Sequence, residues 1–424
     1  MNDNIVEGKK LLILAGEANL ITLVERARSL GVYTIVTDYY TCEESPAKKI
    51  ADEFWNISWS DIDVLEKKCR EEKIDGVTTG YSESPLECCI ELCKRLGLPC
   101  YCTKEQLEFT RNKVLFKEIC RRAGVPVVKE YNSIEEVDAF PIIVKPVDRA
   151  GSIGVSIATN MDELRQAYDY AMKKSYCKHV IIEQYIHGTK IDVYYEIIDG
   201  QITLLSTDSV INAKNNGYKR VVQSAWYLPS HAHNLIVEKV DLSLRKMINN
   251  LGITDGYLFI SGFEYNGELM FFESGFRLGG EHLYNYHELL GYINSLDVFI
   301  YHALTGSTSV LKQSVNNTVN NNIKCININL YANAGIVKQI EGLDLIRKMT
   351  DCYFTLVTGF EGQVCEDNVA ILSKLGMFYF CNENAYELKN DVKKAYSLLK
   401  ILDTKGNDML YDKIDSSRID KLWD

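Results

Sequence analysis

Over the first hundred residues, short apolar runs alternate with stretches that have helical spacing. The amphipathic stretches predict helices at residues 19–30, 64–72 and 84–96. The apolar runs predict buried strands at residues 10–15, 33–37 and 76–79. Strands that are separated by helices form a doubly wound parallel sheet, and ligands bind outside the carboxyl ends of its strands. We therefore expect polar site residues where these strands end, at residues 16–17, 38 and 79–83.

After residue 103 the pattern changes to short strands that are joined by tight turns. Asp199-Gly200 and Asn266-Gly267 are typical of two-residue hairpins, and strands joined this closely must be antiparallel. The middle of the chain is therefore predicted to be α+β. Its helices are expected at 105–123, 161–174 and 237–251, and its strands at 141–146, 155–158, 180–185, 192–198, 201–206, 257–265 and 268–274.

The last hundred residues predict a smaller α/β element. Strands are expected at 325–331 and 352–357, and helices at 369–375 and 385–402. The fold class is thus mixed, α/β followed by α+β. At roughly 150 residues per domain, the 424 residues allow about three units. We expect these units at residues 1–104, 105–310 and 311–424.

Composition and charge exclude several classes of protein. Hydrophobic residues make up 46% and charged residues 25%, which excludes disordered and low-complexity chains. With 47 Lys+Arg against 58 Asp+Glu, the net charge of −11 argues against a nucleic-acid binder, which needs a basic face. No apolar run reaches the ~18–20 residues that span a bilayer, and no secretory leader is recognisable. We expect a cytoplasmic protein without a membrane or nucleic-acid partner.

Cysteine is frequent, with 13 residues. Reduced thiols that pack in the core are the simplest interpretation for a cytoplasmic chain. Cys88-Cys89 with Cys93 lies on a predicted helix, and Cys100-x-Cys102 follows it. Neither group has the paired spacing of a zinc site, so the sequence predicts no metal there.

A lysine inside an apolar strand is the first candidate for a residue that binds a ligand. Lys145 lies in Pro-Ile-Ile-Val-Lys-Pro, where a buried unpaired ammonium would be costly. An edge-strand lysine that reaches water is the alternative. The segment 148–156 that follows is rich in Gly and Ser, so its amides and hydroxyls can approach phosphate oxygens closely. It is not a Walker A loop, but loop and lysine together could hold a polyphosphate.

Two glutamates on the second hairpin are the next candidates. Counting from the Asn266-Gly267 turn sets Glu264 opposite Leu269 and Glu273 opposite Ile260. Both glutamates would then point to one face, about 13 Å apart along the strand, so a shared ion would need a bulge. Mg2+ takes one or two carboxylates plus phosphate oxygens, so Glu273 could serve alone. Solvent-facing glutamates are the alternative.

Arg277 and the end of the predicted strand 180–185 add weaker signals. Arg277 could contact an anion or pair with a nearby glutamate. Where that strand bends away, in Glu183-Gln184-Tyr185-Ile186, its exposed backbone N–H and C=O groups could read adenine. An ordinary strand end is the alternative for this segment.

Taken in order, these motifs resemble the ATP-grasp superfamily, in the branch with biotin carboxylase, carbamoyl phosphate synthetase and L-amino-acid ligases. Residues 10–100 are similar to the N-terminal preATP-grasp domain of that family. The motifs that carry the resemblance are Arg111-Asn112-Lys113, Gly124-Val125-Pro126, Lys145 in Val-Lys-Pro, the Gly loop, Ile-Ile-Glu-Gln-Tyr-Ile-x-Gly, and Glu273-x-x-x-Arg277-x-Gly-Gly.

The resemblance implies a role for each matched residue. Lys113 and Lys145 would contact ATP phosphates, and Glu273 with Glu264 would hold Mg2+ or Mn2+. Arg277 would stabilise an acyl phosphate, with Lys145 as the second catalytic cation. The remaining cofactor-binding residues would be Gly151, Ser152, Gly154, Val155 and Ser156 over the phosphates, Glu183, Gln184, Tyr185 and Ile186 at adenine, and Asp192 at the ribose. Lys219, Arg220, Glu281 and His282 would be looser substrate contacts.

The sequence also departs from the family pattern. Gly275 stands where an asparagine commonly ligates the second Mg2+, and the usual place of the first metal carboxylate falls near Ser261. Asn112 stands where the family often has Asp. Gly280-Glu281-His282 is similar to the Glu-His of the carboxylases, although no biotin-domain sequence is present.

The resemblance implies an ATP-dependent carboxylate–amine ligase of the EC 6.3 type. Its substrates would be a small-molecule carboxylate and an amine, its cofactors ATP and Mg2+, and a homodimer would fit the family. Two alternatives stay open. One is a nucleotide-binding ATP-grasp protein without ligase activity, which the departures at Ser261 and Gly275 favour. The other is a ligase that acts on ammonia, bicarbonate or an amino sugar.

Overall fold

The parallel sheet predicted for the first hundred residues is confirmed in the computed structural model, which describes residues 5–149, 153–214, 222–314, 319–366 and 374–423. All its neighbouring strands are parallel, in the order β3-β2-β1-β4, and residues 11–14 of the central strand are fully buried. Its third strand was not expected, because three residues with an exposed Phe54 make no apolar run. The elements are β1 (Lys10–Leu14), α1 (Ile21–Ser29), β2 (Tyr33–Thr37), β3 (Glu53–Trp55), α2 (Ile62–Glu72), β4 (Gly76–Thr78) and α3 (Glu83–Leu96).

The single helix expected at residues 105–123 is two helices, α4 (Lys104–Arg111) and α5 (Lys113–Ala123). Asn112 between them has an extended backbone, and its side chain accepts hydrogen bonds from the N–H groups of Val114 and Leu115. It therefore caps α5, and it turns Lys113 into the first residue of a new helix. The helix expected at 237–251 is likewise divided, into α7 (His233–Lys239) and α8 (Asp241–Asn250).

A small antiparallel sheet, in the order β5-β8-β6-β7, follows α5. The predicted antiparallel pairing of the strands on either side of the Gly/Ser segment is confirmed, with Val144 opposite Ser156. One helix covers the sheet. The elements are β5 (Glu130–Tyr131), β6 (Ile142–Pro146), β7 (Ser156–Ala158), α6 (Met161–Lys174) and β8 (Val180–Gln184).

The largest sheet has eight antiparallel strands, in the order β13-β12-β9-β10-β11-β14-β18-β16. Both predicted hairpins are confirmed, and each has positive φ at both turn residues, 47° and 76° at Asp199-Gly200 and 53° and 78° at Asn266-Gly267. The elements of its first half are β9 (Thr189–Ile198), β10 (Gln201–Asn212), β11 (Gln223–Leu228), β12 (Gly256–Tyr265), β13 (Glu268–Gly275), α9 (Tyr284–Leu290) and α10 (Ser295–Thr305).

The C-terminal part continues this sheet through β14, β18 and β16, and it adds a three-stranded sheet, β17-β15-β19. The helix expected at 369–375 lies mostly outside the described residues, and its last two positions begin a strand. The helix expected at 385–402 ends at Leu398 and a strand follows. The elements are β14 (Lys324–Tyr331), β15 (Gly335–Glu341), α11 (Leu343–Arg347), β16 (Cys352–Val357), β17 (Val364–Cys365), β18 (Lys374–Asn382), α12 (Ala385–Leu398), β19 (Lys400–Asp403) and α13 (Ser416–Asp420).

One apolar core joins the first sheet to the eight-stranded sheet. Leu12 of β1, Leu258 of β12 and Phe299 of α10 all belong to it, and each is almost fully buried. Because the last strands share the large sheet, the division into three units stays a prediction. Among the helices of the described ranges, none is long and apolar enough to cross a membrane.

Candidate active site

Two lysines converge on one buried glutamate at the four-stranded sheet. Lys145 on β6 places its Nζ 2.7 Å from Oε2 of Glu183 on β8. Lys117 from α5 binds the other oxygen of Glu183 and lies 3.0 Å from Glu130 Oε2. Burial raises the pKa of Glu183, but the neighbouring Lys145 and Lys117 more than offset this, so the net shift is downward. The three groups therefore form a charged cluster that holds Lys145 in one position.

This cluster limits what the predicted adenine-binding segment can offer. The carboxylate of Glu183 is engaged by lysines, so a base would meet main-chain atoms here. The N–H of Gln184 already donates to the Lys129 carbonyl at 3.0 Å, and that of Tyr185 donates to the Pro141 carbonyl at 3.1 Å. Ile186 follows at the point where the chain leaves the sheet, and it is 7% exposed.

Lys113 lies near the same cluster. Burial lowers the pKa of Lys113 and the charge of Lys145 lowers it further, while Glu273 opposes the shift. Its Nζ is 3.4 Å from the Arg149 carbonyl, at the start of the Gly/Ser segment. Lys113 thus lies within electrostatic reach of both Lys145 and Glu273.

The Gly/Ser segment is anchored at its start, but its centre is not described. Asp148 accepts hydrogen bonds from the Ser175 hydroxyl at 3.0 Å and the Cys177 amide at 2.7 Å. Gly154 has φ +79°, and a Cβ there would lie 2.7 Å from the Pro146 side chain, so this position requires glycine. Val155 and Ser156 lead into β7. The predicted phosphate contacts Gly151 and Ser152, and the predicted substrate contacts Lys219 and Arg220, lie outside the described residues.

Four polar side chains form a row across the large sheet. Asp208 on β10 lies opposite Asp192 on β9, Asp192 lies opposite Ser261 on β12, and Ser261 lies opposite Glu273 on β13. Directly opposed residues share a face of an antiparallel sheet, so all four face the same side. The Ser261 hydroxyl donates a hydrogen bond to Asp192.

The expected register of Glu273 opposite Ile260 is wrong. A β-bulge interrupts the pairing, because Gly262 lies opposite Phe271 while Ser261 lies opposite Glu273. The extra residue is Phe272, which is inserted between the two pairs. The bulge moves Glu273 one position toward the turn relative to β12, directly beside Ser261.

Glu264 does not join this row. It lies three residues from Ser261 along β12, on the opposite face of the sheet, so the expected common face with Glu273 is wrong. Its carboxylate accepts a hydrogen bond from the Gly267 amide at 2.8 Å and lies 3.0 Å from His231 Nε2. Burial raises the pKa of Glu264, but these two contacts more than offset it. Asp192, expected at the ribose, is the carboxylate that the structure sets beside Ser261 and Glu273.

A lysine that the sequence analysis missed lies among these carboxylates. Lys190 Nζ is 2.8 Å from Asp192 Oδ2. Burial lowers the pKa of Lys190, but the negative charges nearby outweigh burial, so the net shift is upward. The largest of these contributions comes from Asp192, followed by Asp208 and Glu273. Burial, with the charge of Asp192, raises the pKa of Asp208 well above its usual value. Lys190 and Asp192, two residues apart, share a strand face, which is the one sequence signal that could have paired them.

Arg277 and an aromatic ring occupy the end of β13. The guanidinium lies 5.2 Å above the centre of the Phe259 ring, and its Nη1 donates to the Leu278 carbonyl at 3.0 Å. A Cβ added at Gly275 would overlap that same ring. The Phe259 side chain therefore fills the space that an asparagine side chain would need at position 275.

The first sheet contributes two carboxylates beside Arg277. Arg277 Nε lies 3.6 Å from Glu83 Oε1 at the start of α3. Burial raises the pKa of Glu17, which follows β1, and the charge of Arg277 opposes the shift. The carboxyl ends of the first strands therefore face this site, as the topology predicted.

His282 connects the first sheet to the core and offers no free nitrogen. It is fully buried, with Nε2 3.1 Å from Asn19 Oδ1 and Nδ1 2.5 Å from the Tyr284 hydroxyl. Burial, aided by the charge of Lys374, lowers the pKa of His282 to about 3. The ring is therefore neutral, and its contacts are structural.

Glu281 lies within electrostatic reach of Lys374, a further lysine that was not predicted from the sequence. Lys374 begins β18, and burial lowers the pKa of Lys374 to about 8, with Glu281 opposing the shift. The main-chain oxygen of Glu281 accepts a hydrogen bond from the Tyr379 hydroxyl. Lys374 belongs to a segment that the sequence predicted as helix, so no signal marked it.

Comparison with known proteins agrees with this architecture. Residues 108–251 match a family model described as the C-terminus of D-ala D-ala ligase. A formate-dependent phosphoribosylglycinamide formyltransferase of Prochlorococcus marinus subsp. pastoris is 24% identical over 277 residues, 60% of this chain and 67% of that protein. A D-alanine--D-alanine ligase of Natranaerobius thermophilus is 27% identical over 262 residues, 57% of this chain and 64% of that protein.

A solved structure extends the likeness to nearly the whole chain. The crystal structure of an L-amino acid ligase from Bacillus licheniformis superposes with a TM-score of 0.77, at 19% identity, over 94% of this chain and 99% of that one. At this identity the likeness shows the fold. The matched family model, these relatives and the shared fold support the resemblance to the ATP-grasp superfamily that the sequence motifs carry.

Proposed function

We propose that this protein is an ATP-dependent ligase that joins a carboxylate to an amine through an acyl phosphate. The observation that carries the proposal is that Lys113 lies within electrostatic reach of both Lys145 and Glu273, with Arg277 two residues past the end of the strand that carries Glu273. Such a set suits phosphoryl transfer, where positioning and charge neutralisation supply most of the catalysis. The D-alanine--D-alanine ligase and L-amino acid ligase among its relatives support the same reaction class.

The reaction needs two steps. A substrate carboxylate attacks the γ-phosphorus of ATP, which forms an acyl phosphate and releases ADP. The amine then attacks the acyl carbon, loses a proton, and expels inorganic phosphate. Activation is required because the oxygen of a carboxylate is a poor leaving group, and phosphate is a better one.

Lys145 would bind the phosphates from a preorganised position. Its ammonium is held at 2.7 Å by Glu183, which is in turn held by Lys117, so little reorganisation is needed when ATP arrives. Lys113 would add a second charge from the start of α5. Arg277 would neutralise the acyl phosphate, since its guanidinium is fixed by the Phe259 ring and the Leu278 carbonyl.

The oxygen-donor set fits Mg2+. Glu273 and Asp192 flank Ser261 on one face of the sheet, and hard divalent cations prefer carboxylate oxygens together with phosphate and water. These two side chains would hold the ion, while Gly275 and Ser261 supply no charged ligand. When bound, Mg2+ would neutralise charge on the transferring phosphoryl group. Mn2+ has the same ligand preferences.

The acceptor side of the site would lie near Glu281 and Lys374. Lys374 offers a positive charge for a substrate carboxylate, and Glu281 offers a negative one for an amine. Burial keeps the pKa of Lys374 at about 8, so a neighbouring anion would favour its charged form at neutral pH.

Release of ADP, measured against a panel of small carboxylates and amines, tests the proposal. Lys145→Met and Glu273→Gln should each abolish substrate-dependent ADP release, and far-UV circular dichroism should stay unchanged. Lys129→Met is the matched control, because this lysine pairs with Asp138 on the surface. Full turnover in Lys145→Met or Glu273→Gln would refute the assignment of the site.

Nucleotide binding without ligation is the second candidate. It is favoured by Phe259, whose ring fills the place of a metal-binding side chain at position 275. This candidate predicts saturable ATP binding with no release of ADP for any pair in the panel. Amide formation with any pair would exclude it.

A further inference from the structure

Three cysteines that the sequence analysis assigned to packing meet at one point beside the first sheet. Cys89 and Cys93 are four residues apart on α3, so their side chains share a face of the helix. Gly97 ends the helix in a left-handed conformation, and the chain turns back to bring Cys100 to the same face. The three Sγ atoms all lie within 4.8 Å of one another.

The spacing of the sulfurs suits a tetrahedral metal ion. Cys89 Sγ and Cys93 Sγ are 3.9 Å apart. Thiolates bound at ~2.3 Å to a tetrahedral Zn2+ are about 3.8 Å apart, so this pair needs almost no movement to bind. Without a metal, the thiols of Cys89 and Cys93 donate to the same acceptor, the Val77 carbonyl oxygen, at 3.6 Å and 3.8 Å.

The cluster is largely shielded from solvent, since Cys89 and Cys93 are buried and Cys100 is half-buried. A thiolate is the form that binds metal, so a bound cation would replace the thiol protons.

His302 is the candidate for a fourth donor, from another part of the chain. It lies on α10, which packs against β4, and it is 8% exposed. Its Nδ1 is buried and has no hydrogen-bond partner among the described residues. Nε2 lies 4.0 Å from Asp255, which is beyond hydrogen-bond distance.

We propose that Cys89, Cys93, Cys100 and His302 form a binding site for one thiophilic divalent cation of the Zn2+ type. The site is separate from the nucleotide site and does not depend on the ligase proposal. It joins α3, the segment that leads out of the first sheet, and α10 of the core. Its role is therefore structural, because four protein ligands leave no open position for a substrate.

Metal content of the full chain tests the proposal. The protein is purified with a reductant, loaded with excess Zn2+, desalted, and measured by elemental analysis. We expect about one zinc per chain, and near-complete loss in Cys93→Ser and Cys100→Ser. Cys177→Ser is the matched control, since this cysteine is exposed and lies in the loop between α6 and β8. Zinc content in wild type no higher than in the Cys93→Ser and Cys100→Ser variants would overturn the site.

Cobalt distinguishes ligation from loss of folding. Wild-type protein loaded with Co2+ should show the thiolate-to-cobalt charge-transfer absorption and the visible bands of tetrahedral Co2+. This measurement uses the unmodified chain, so it needs no variant to fold. His302→Gln should weaken zinc affinity by at least about tenfold. Absence of thiolate charge transfer would overturn the proposal, and unchanged affinity in His302→Gln would overturn the fourth ligand.

Discussion

His287 provides a sharp test of how burial controls charge in this fold. It lies on α9 and is fully buried, with Nε2 2.7 Å from the Ser206 hydroxyl. Its Nδ1 has no hydrogen-bond partner among the described residues, and aromatic rings surround it. Burial lowers the pKa of His287 to about 3, so the folded protein holds a neutral ring at pH 5 and above.

The size of the effect follows from proton linkage. In the unfolded chain this histidine has a pKa of about 6.5, so it takes up a proton there below that pH. Because the unfolded state then binds more protons than the folded state, stability falls as pH falls from about 6.5 toward 3. At about pH 5, which is 1.5 units below the unfolded-state pKa, the free energy of unfolding is lower by about 2 kcal/mol, at 1.36 kcal/mol per unit. A glutamine at this position carries no such cost.

Urea unfolding of wild type and His287→Gln at several pH values measures this term. Other titrating groups are present in both proteins, so their contributions cancel in the difference. His287→Gln should be less stable near neutral pH, and its deficit should shrink by about 2 kcal/mol between about pH 7.5 and pH 5. His187→Gln serves as the control because that ring is exposed. A constant difference between wild type and His287→Gln would refute the reasoning.

Two further substitutions test the site. Lys117→Met should destabilise the fold by about 3–5 kcal/mol in urea unfolding, because it removes the buried ammonium that pairs with Glu183 and Glu130. The double variant Lys117→Met with Glu183→Leu should recover part of that loss. A loss below about 1 kcal/mol would contradict the buried charged cluster. Gly275→Asn should cost about 1–3 kcal/mol in thermal unfolding and leave Mg2+ affinity unchanged, because the Phe259 ring occupies the space. Tighter Mg2+ binding in Gly275→Asn alone would contradict this.

The strength of the local sequence signals decided how well each part of the fold could be predicted. Apolar runs such as β1 predict a strand, and dipeptides such as Asn266-Gly267 predict a hairpin turn, each from only a few residues. Both predictions are confirmed. The break at Asn112 was missed because helical spacing continues across it, although its side chain caps the next helix. The strand β18 was missed because the predicted helix extended over its start.

The residues of the candidate site also differ in whether the sequence marked them. Lys145 was visible in sequence because a charge inside an apolar strand is unusual. Lys117 and Lys374 were not visible, because each stands in an ordinary pattern and meets its carboxylate only across elements. Lys190 was overlooked, although its partner Asp192 lies two residues away on the same strand. The pairing of Lys117 with Glu183 joins residues 66 positions apart.

By itself the sequence determined the parallel pairing in the first sheet, both hairpin turns and the family resemblance, because these depend on short-range periodicity and on motifs in fixed order. Only the tertiary structure decided which polar side chains meet. Two single-residue bulges, at Leu205 in β10 and Phe272 in β13, bring Asp208 opposite Asp192 and Glu273 opposite Ser261. A bulge shifts every later pair by one residue and depends on packing across the sheet, so counting from the turns could not reveal it.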